Sequence, residues 1–405
     1  MSFFVLIHLS LFVFFWCRSS QVRKVRKEDG PKLELDVQEG KETKSRKKVR
    51  DFVLEQLKRF EKGVSRQSFD TFYQNLSSTV HECHRMCFFQ IIECKVYMEC
   101  KKGVGEYERA FINSLHYLLQ KKCVADVEFI LSCHDLMQDV LPQEAPIFSA
   151  VPIFAFSKKI SQKSVLLVPD PYMLRLRSWS SLVSTILSSS AENGWDSKAE
   201  RVFFRGASSG AIVEKDDTVD SVIEKGARYK AVALSLKDPL LIDARFSALV
   251  QIHPDARNRT EQYFGPVDPH VSEEQHLKFK YLLSMDGNGC SWLRVPWILL
   301  SNSLLFKQES ALVEWFYGGV EEMKHFIPIK RDLSDLKERL LWAKTHDQEA
   351  RKIAEEATAF AKENLLPARV LSDLHFTLEQ YSKLLNFSPK VNFPPAPPPL
   401  WDTAW

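Results

Sequence analysis

The sequence predicts an α/β fold of two Rossmann-like domains that face a cleft. Three observations lead there. Strand-like runs alternate with amphipathic helices in both halves of the chain. Each half has an apolar strand that ends in a polar, chemistry-bearing turn. Residues 279–310, FKYLLSMDGNGCSWLRVPWILLSNSLLFKQES, read as strand, glycine turn and helix start. In that stretch Tyr281-Leu282-Leu283 leads into Asp286-Gly287-Asn288-Gly289, followed by Arg294 and an apolar segment at 295–300. Glycines admit positive φ and close approach to a ligand, and a helix start offers unpaired N–H groups to an anion. Arg294 adds a planar fork of donors just inside that start, where Pro296 is tolerated because first-turn amides lack helical partners. A diphosphate fits there.

At 405 residues, with 45% hydrophobic and 26% charged positions, the chain is large enough for two globular domains. Its net charge of +3 argues against a nucleic-acid binder that depends on a strongly basic surface, while leaving room for a local anion site. Loss of Cys17 with a leader would reduce the eight cysteines to an odd seven, so at least one thiol stays free. Cys83, Cys87, Cys94 and Cys100 lack the paired spacing of zinc sites. Disulfides among them are compatible with the pattern, and their connectivity stays open.

Residues 2–17, SFFVLIHLSLFVFFWC, form an apolar run shorter than the roughly 20 residues of a comfortable membrane span. Within residues 1–20 it reads as a signal-peptide core, and export is the favoured destination. The basic cluster Arg18, Arg23, Lys24, Arg26 and Lys27 would suit an anchor instead, with association at a membrane through 2–17. Residues 21–50 are charged and aperiodic, a flexible linker, so the folded part is expected to begin near Asp51.

The first domain, 51–198, opens with helical spacing at Leu54, Leu57, Phe60 and Val64 and a second helix at 69–76. In 91–100 Ile92, Cys94, Val96, Met98 and Cys100 alternate with Glu93, Lys95 and Glu99, a half-buried strand with its cysteines packed inside. Phe111, Leu115, Leu118 and Leu119 share a helix face. Residues 127–131, VEFIL, read as an inner parallel strand that ends at Ser132-Cys133-His134-Asp135, the carboxyl end where ligands of open α/β sheets gather. Strand-like runs at 150–158 and 165–170, a helix at 179–188 and a polar connection at 191–198 complete the domain.

The second domain, 199–335, starts with a strand at 201–204 that runs into Arg205-Gly206-Ala207-Ser208-Ser209-Gly210, a cradle for phosphate or ribose. Arg228 precedes a strand at 229–234. Asp243-Ala244-Arg245 follows the next strand, with Arg245 in a surface salt bridge. Beyond the central stretch come a strand at 303–307, a helix start at 310–317 carrying Glu314, and a last strand at 326–329. In 336–386, Ser334 caps one long helix whose apolar stripe runs from Leu336 through Leu340, Ala343, Ala350 and Ile353 to Phe360, and a second helix covers 372–385. The tail 387–405, with its PPAPPP run, is expected to be extended and disordered.

Phe203-Phe204-Arg205-Gly206, the 279–310 stretch and residues 325–336, HFIPIKRDLSDL, together resemble the Rumi-like protein O-glucosyltransferases and capsule-associated xylosyltransferases of glycosyltransferase family 90, over about residues 72–385. The resemblance implies a B-type glycosyltransferase fold, with the acceptor on the first domain and the nucleotide on the second. It implies a single inverting displacement in which Asp135 takes the proton of an acceptor hydroxyl. Arg205, Gly206, Ser208, Arg228, Asp286, Gly287, Arg294 and Glu314 would bind the donor, Glu314 at its ribose, and Phe156 and Ser157 would lie near the acceptor. The implied donor is UDP-glucose or UDP-xylose and the implied acceptor a protein or glycan, with a monomeric protein and no further cofactor. No Asp-x-Asp pair is present to hold a metal against a diphosphate. The segment from Gly287 to Arg294 is one residue longer than in animal members and has Cys290 where alanine is usual. The alternative to catalysis is a cleft that holds a nucleotide sugar without transferring it. A dinucleotide-dependent oxidoreductase is excluded by the missing Gly-x-Gly-x-x-Gly fingerprint.

Overall fold

The computed structural model describes residues 42–79, 85–134, 150–268 and 271–400. The expected leader lies outside them. Two five-stranded sheets form the frame. The first consists of β1 (Met86–Ile92), β2 (Lys95–Cys100), β3 (Val127–Ser132), β4 (Ile153–Ala155) and β6 (Val165–Leu167), in the order β2-β1-β3-β4-β6. Its β1 runs antiparallel to β2 and β3, while β3, β4 and β6 are parallel. The second contains β7 (Ala199–Ala207), β8 (Ile242–Ala248), β9 (Phe279–Ser284), β10 (Leu304–Gln308) and β12 (Ile327–Ile329), all parallel in the order β12-β10-β9-β7-β8. A short antiparallel ribbon, β5 (Lys158–Lys159) with β11 (Leu312–Val313), links the two halves of the chain. The fold is mixed α/β, as the alternation of elements predicts.

Several local expectations need correction. The alternating segment 91–100 is a hairpin, because Glu93 and Cys94 both take positive φ, 49° and 60°, as a two-residue turn of the primed type requires. Asp126 accepts the Glu93 N–H at 2.9 Å and a disulfide ties Cys94 to Cys123, which holds two non-glycine residues in that turn. A second disulfide, Cys87–Cys100, joins directly opposed residues of β1 and β2. Cys133 and Cys290 are free and buried.

Residues 229–234 are helical, within Ala227–Lys237, rather than a strand. A short apolar run does not distinguish the two by period, but β7 and β8 are parallel neighbours and need a crossover between them. Asp243 and Arg245 lie inside β8 instead of after a strand. The segment 310–317 forms β11 and a single 3-10 turn, Tyr317–Gly319, where a helix start was expected. The helix predicted from 336 to 360 divides into Leu336–Thr345 and Asp347–Asn364. Asp347 is drawn toward the second sheet, where its carboxylate accepts from Lys280 Nζ at 2.9 Å and from Trp195 Nε1 at 3.1 Å. Asp335, not Ser334, occupies the N-cap position of the first of these helices, and the last helix runs Pro367–Ser382.

Both ends of the described chain are better ordered than composition suggests. Helix Lys44–Leu57 begins inside the supposed linker, because Arg46 is buried and donates to Asp373 Oδ1 at 2.6 Å. The tail from Phe387 to Leu400 is not disordered. It lies along the free edge of β2, donating from Ala396 N to Val96 O and accepting from Met98 N at Pro394 O. The Gln90 side chain accepts from Asn392 N and donates to Lys390 O, and Phe393 packs near Tyr73 and Phe88 with centroids 6.0 and 6.2 Å away. Prolines suit this role, since an edge strand needs bonds on one side only. Among the described residues no helix is long and apolar enough to cross a membrane.

Phe393→Ala should lower stability by about 1–2 kcal/mol, because a half-buried aromatic contact on β1 and the nearby helix is lost. Deleting 387–405 should cost more and promote self-association by uncovering an edge strand. Thermal denaturation and light scattering would show both effects, and unchanged melting of the truncated chain would contradict the packing of the tail.

Candidate active site

The parallel strands of the second sheet deliver their carboxyl ends to one rim, where Ala207-Ser208-Ser209-Gly210 follows β7 and Met285-Asp286-Gly287 follows β9. Arg228, from helix Ala227–Lys237, ties the two together. Its guanidinium donates to Ala207 O and Ser209 Oγ, both at 2.9 Å, and to Met285 O and Asp286 O, both at 3.1 Å. Arg294, first residue of helix Arg294–Leu300, donates through Nη2 to Arg205 O at 2.6 Å. The two guanidinium carbons lie 5.8 and 5.0 Å from the ring centre of Phe204. Among the described residues no carboxylate lies within salt-bridge distance of either arginine. Burial pushes Arg228 down to about 10. Arg294 is pushed down to about 9, by burial first and then by the charge of Arg228. Both stay cationic at neutral pH. Two adjacent guanidinium groups without an ion-pair partner among the described residues, with Asp286 and Glu273 acting on them only at longer range, make a site for an anion.

Backbone here comes too close for side chains. A Cβ on Gly287 would stand 2.9 Å from Ser209 Oγ and 3.0 Å from Arg228 Nη2, and one on Gly206 would stand 3.2 Å from Arg294 Nη2. The glycine turn therefore serves close approach; Gly287 and Gly289 do not take positive φ.

The other expected donor residues are placed differently. The Arg205 side chain is engaged by Asp268 at 2.7 Å, by Asp243 Oδ1 at 2.8 Å and by two carbonyls, so it is its backbone oxygen that meets Arg294. Ser208 is buried, and its hydroxyl exchanges bonds with Val250 across β7 and β8. Asp286 is half-buried and its carboxyl is raised by burial. Glu314 is sealed from solvent and accepts from Tyr317 Oη at 3.3 Å, while its other oxygen has no hydrogen-bond partner among the described residues. Burial, then the charges of Asp170 and Asp286, hold its carboxyl well above the carboxylate range. Phe156 and Ser157 are buried at the end of β4. Asp135 lies outside the described residues. His134 just before it accepts the Arg85 N–H through Nε2 at 2.7 Å.

One side chain joins the halves that sequence reading did not single out. Trp292 sits in the loop before Arg294 at φ 46°, an unusual value for a bulky residue. Its ring lies 6.5 Å from Tyr107 and 6.4 Å from Tyr172, whose hydroxyls are 3.2 Å apart. The Tyr107 ring also meets Phe156 edge-on at 6.1 Å. A tryptophan in a glycine-rich loop was the available clue; nothing local distinguished the two tyrosines. Cys87, Glu108 and Cys133 lie close enough to share an ion, but the Cys87 sulfur is bonded to Cys100.

The family model for glycosyl transferase family 90 matches residues 48–394. The chain belongs to glycosyl transferase family 90. Similar curated members are protein O-glucosyltransferase 2 of Danio rerio, 29% identical over 76% of this chain and 57% of that protein, and human protein O-glucosyltransferase 3, 29% identical over 72% and 54%. Protein O-glucosyltransferase 1 of Bos taurus is 24% identical over 83% of this chain and 80% of its own length. The chain thus spans a little over half the length of the first two relatives.

For this family 90 chain, Arg294→Ala should weaken pyrophosphate binding by about 1.5–3 kcal/mol with the fold intact, since its bond to the protein is a single contact with Arg205 O. Arg228→Ala should weaken binding and also lower the melting temperature, because four acceptors lose their donor. Calorimetry and thermal melts on the two variants would separate the roles. Equal melting losses in both would mark Arg294 as structural.

Proposed function

We propose that this chain is an inverting glycosyltransferase that moves glucose or xylose from a UDP-sugar to a hydroxyl of a protein acceptor. The observation that carries the reading is the pair Arg228 and Arg294, unneutralised by any described carboxylate at the carboxyl ends of β7 and β9. The leaving UDP gathers negative charge as the glycosidic bond breaks, and fixed donors that are already oriented stabilise that charge most. Arg294 would meet the diphosphate directly, with Arg205 O setting its angle and Arg228 holding both loops. The names of the relatives, protein O-glucosyltransferases, support a glucosyl donor and a protein acceptor.

In this reading the two sheets are the two halves of a B-type transferase, the nucleotide lies on the second and the acceptor meets the first near Phe156, Tyr107 and Tyr172. Asp135, which follows β3 in the sequence, is the base that takes the acceptor proton. Glu314 acts on the ligand through Tyr317 rather than by direct contact, since it is closed off from solvent. Arginines carry the phosphate charge, so no divalent metal is needed. The two disulfides suit an oxidising compartment, which supports a place in the secretory pathway.

Asp135→Asn should slow transfer about 10²- to 10⁴-fold, the usual cost of a missing general base, and leave UDP affinity unchanged. Transfer assayed as UDP release and affinity measured by calorimetry on the same protein provide the test. Full activity in the variant would remove Asp135 as the base, and a wild-type chain that binds UDP-sugars without releasing UDP would be a binding protein. EDTA should not inhibit; loss of activity restored by manganese would overturn the metal-free mechanism.

A further inference from the structure

Cys133 is a free thiol set beside a disulfide. Its amide donates to Arg85 O at 2.8 Å, which carries the antiparallel β1–β3 ladder one residue past the Met86–Ser132 pair. Cys87 opposes Cys100 on β2 and Leu131 on β3, so Cys133, two residues after Leu131, shares a face of the sheet with Cys87. The distances agree: the sulfurs of Cys87 and Cys133 and a carboxylate oxygen of Glu108 all lie within 4.8 Å of one another. Cys87 is bonded to Cys100. Three sulfurs therefore meet at Cys87, one bonded to it and one facing it.

Glu108, from helix Glu106–Lys121, is 1% exposed. Its Oε1 lies 3.5 Å from Arg85 Nε, and its Oε2 has no hydrogen-bond partner among the described residues. Burial, then the charge of Glu108, hold the Cys133 thiol well above its ordinary range, so it is protonated at rest. A buried cysteine ordinarily serves as a small apolar residue, and an unpartnered carboxylate oxygen beside it costs free energy. Packing alone gives no reason to set the two against a disulfide. Thiol–disulfide exchange does, because it needs an attacking thiol, an acceptor for its proton and a leaving sulfur that tolerates charge. Cys100 meets the last need, being half-buried where Cys87 and Cys133 are sealed.

We propose that Cys133, Cys87 and Cys100 form an intramolecular thiol–disulfide exchange site, with Glu108 as its proton acceptor. Cys133 Sγ attacks Cys87 Sγ while its proton passes to Glu108 Oε2. The Cys87–Cys133 bond forms, the Cys87–Cys100 bond breaks, and the electron pair leaves on Cys100 Sγ. Glu108 gives its proton to water and Cys100 takes one up, so the reaction is an isomerisation that consumes no oxidant. The cross-link moves from β1–β2 to β1–β3, and the thiol moves from a sealed position to one that solvent reaches. A low-molecular-weight disulfide then exchanges with Cys100 to give a mixed disulfide and one small free thiol. None of these residues belongs to the arginine rim, so the exchange proceeds whether or not the chain transfers sugar.

The test is trapping in the native state. The oxidised full chain is held with excess iodoacetamide in mildly alkaline buffer, denatured without reduction and mapped by mass spectrometry. Label at Cys100 and a linked Cys87–Cys133 peptide should accumulate together, with Cys94–Cys123 intact; Cys290, the other buried free thiol, is the control for unfolding. Labelling of Cys100 should disappear in Cys133→Ser, and in Cys133→Val if the serine variant does not fold. Glu108→Gln should slow it about 10²-fold, the low end for a lost general base. In Cys100→Ser, oxidised glutathione should link Cys87 to Cys133 and be reduced in doing so. An unlabelled Cys100 in wild type would overturn the proposal, as would label that persists at Cys100 without Cys133, or a Cys133 bonded to a sulfur other than that of Cys87. Failure of Cys87 and Cys133 to link in Cys100→Ser would overturn it equally, and unslowed labelling in Glu108→Gln would remove Glu108 as the acceptor.

Discussion

The guanidinium of Arg228 is the interaction on which the site depends. Parallel strands leave their carboxyl-terminal loops side by side but not joined, because ladder bonds end with the strands. Arg228 supplies the joint with bonds to four acceptors, two after β7 and two after β9. The glycine at 287 exists on these terms, since any Cβ there would meet the same guanidinium at 3.0 Å. Once the loops are fixed, Arg294 can be held by a single carbonyl and left otherwise available. A lysine at 228 would offer one point charge and could not span the same acceptors in a plane.

Electrostatic cost follows from this design. Two cations share the face of Phe204 in a half-buried rim, and neither forms an ion pair with a described carboxylate. The acids of the neighbourhood are kept apart: Asp243 and Asp268 are occupied by Arg205, Glu314 is sealed with its carboxyl raised by burial, and Asp286 acts on Arg228 only from beyond ion-pair distance. A site so arranged is destabilising until a ligand brings charge of the opposite sign, and it gains most from the species with the most concentrated charge. That ordering separates Arg205, an arginine neutralised for structure, from Arg294, an arginine held unneutralised. Sequence alone presents them as equivalent.

Much of the frame was readable because its signals are local. The apolar run VEFIL and the strand before Asp286 are buried along their length, as inner parallel strands should be, and the glycine turn was recognisable from composition. What was missed depended on distant partners. The run 229–234 is helical because β7 and β8 must be bridged, a fact about topology that its own residues do not encode. The break at His346 follows from Asp347 reaching Lys280 and Trp195. The proline-rich tail looked unstructured because its hydrogen bonds go to β2, some 300 positions away in the chain. Trp292, Tyr107 and Tyr172 meet only after both halves fold, so no window of sequence contains their contact.

The meeting of the chain ends has a bearing on biosynthesis. Gln90 waits for Lys390 and Asn392, Arg46 for Asp373, and Val64 for Leu385, which it joins in a parallel bridge. At translation rates of about 5–20 residues per second, the 300 residues between Gln90 and Lys390 take roughly 15–60 s to emerge. During that interval β1 and β2 can pair and close the Cys87–Cys100 bond, since their partners lie within a hairpin. The outer edge of β2, however, remains open, and Arg46 lacks its counter-ion. The first half of this chain is thus made early and completed last, so a ribosome-bound intermediate exposes an unpaired strand edge for most of its synthesis.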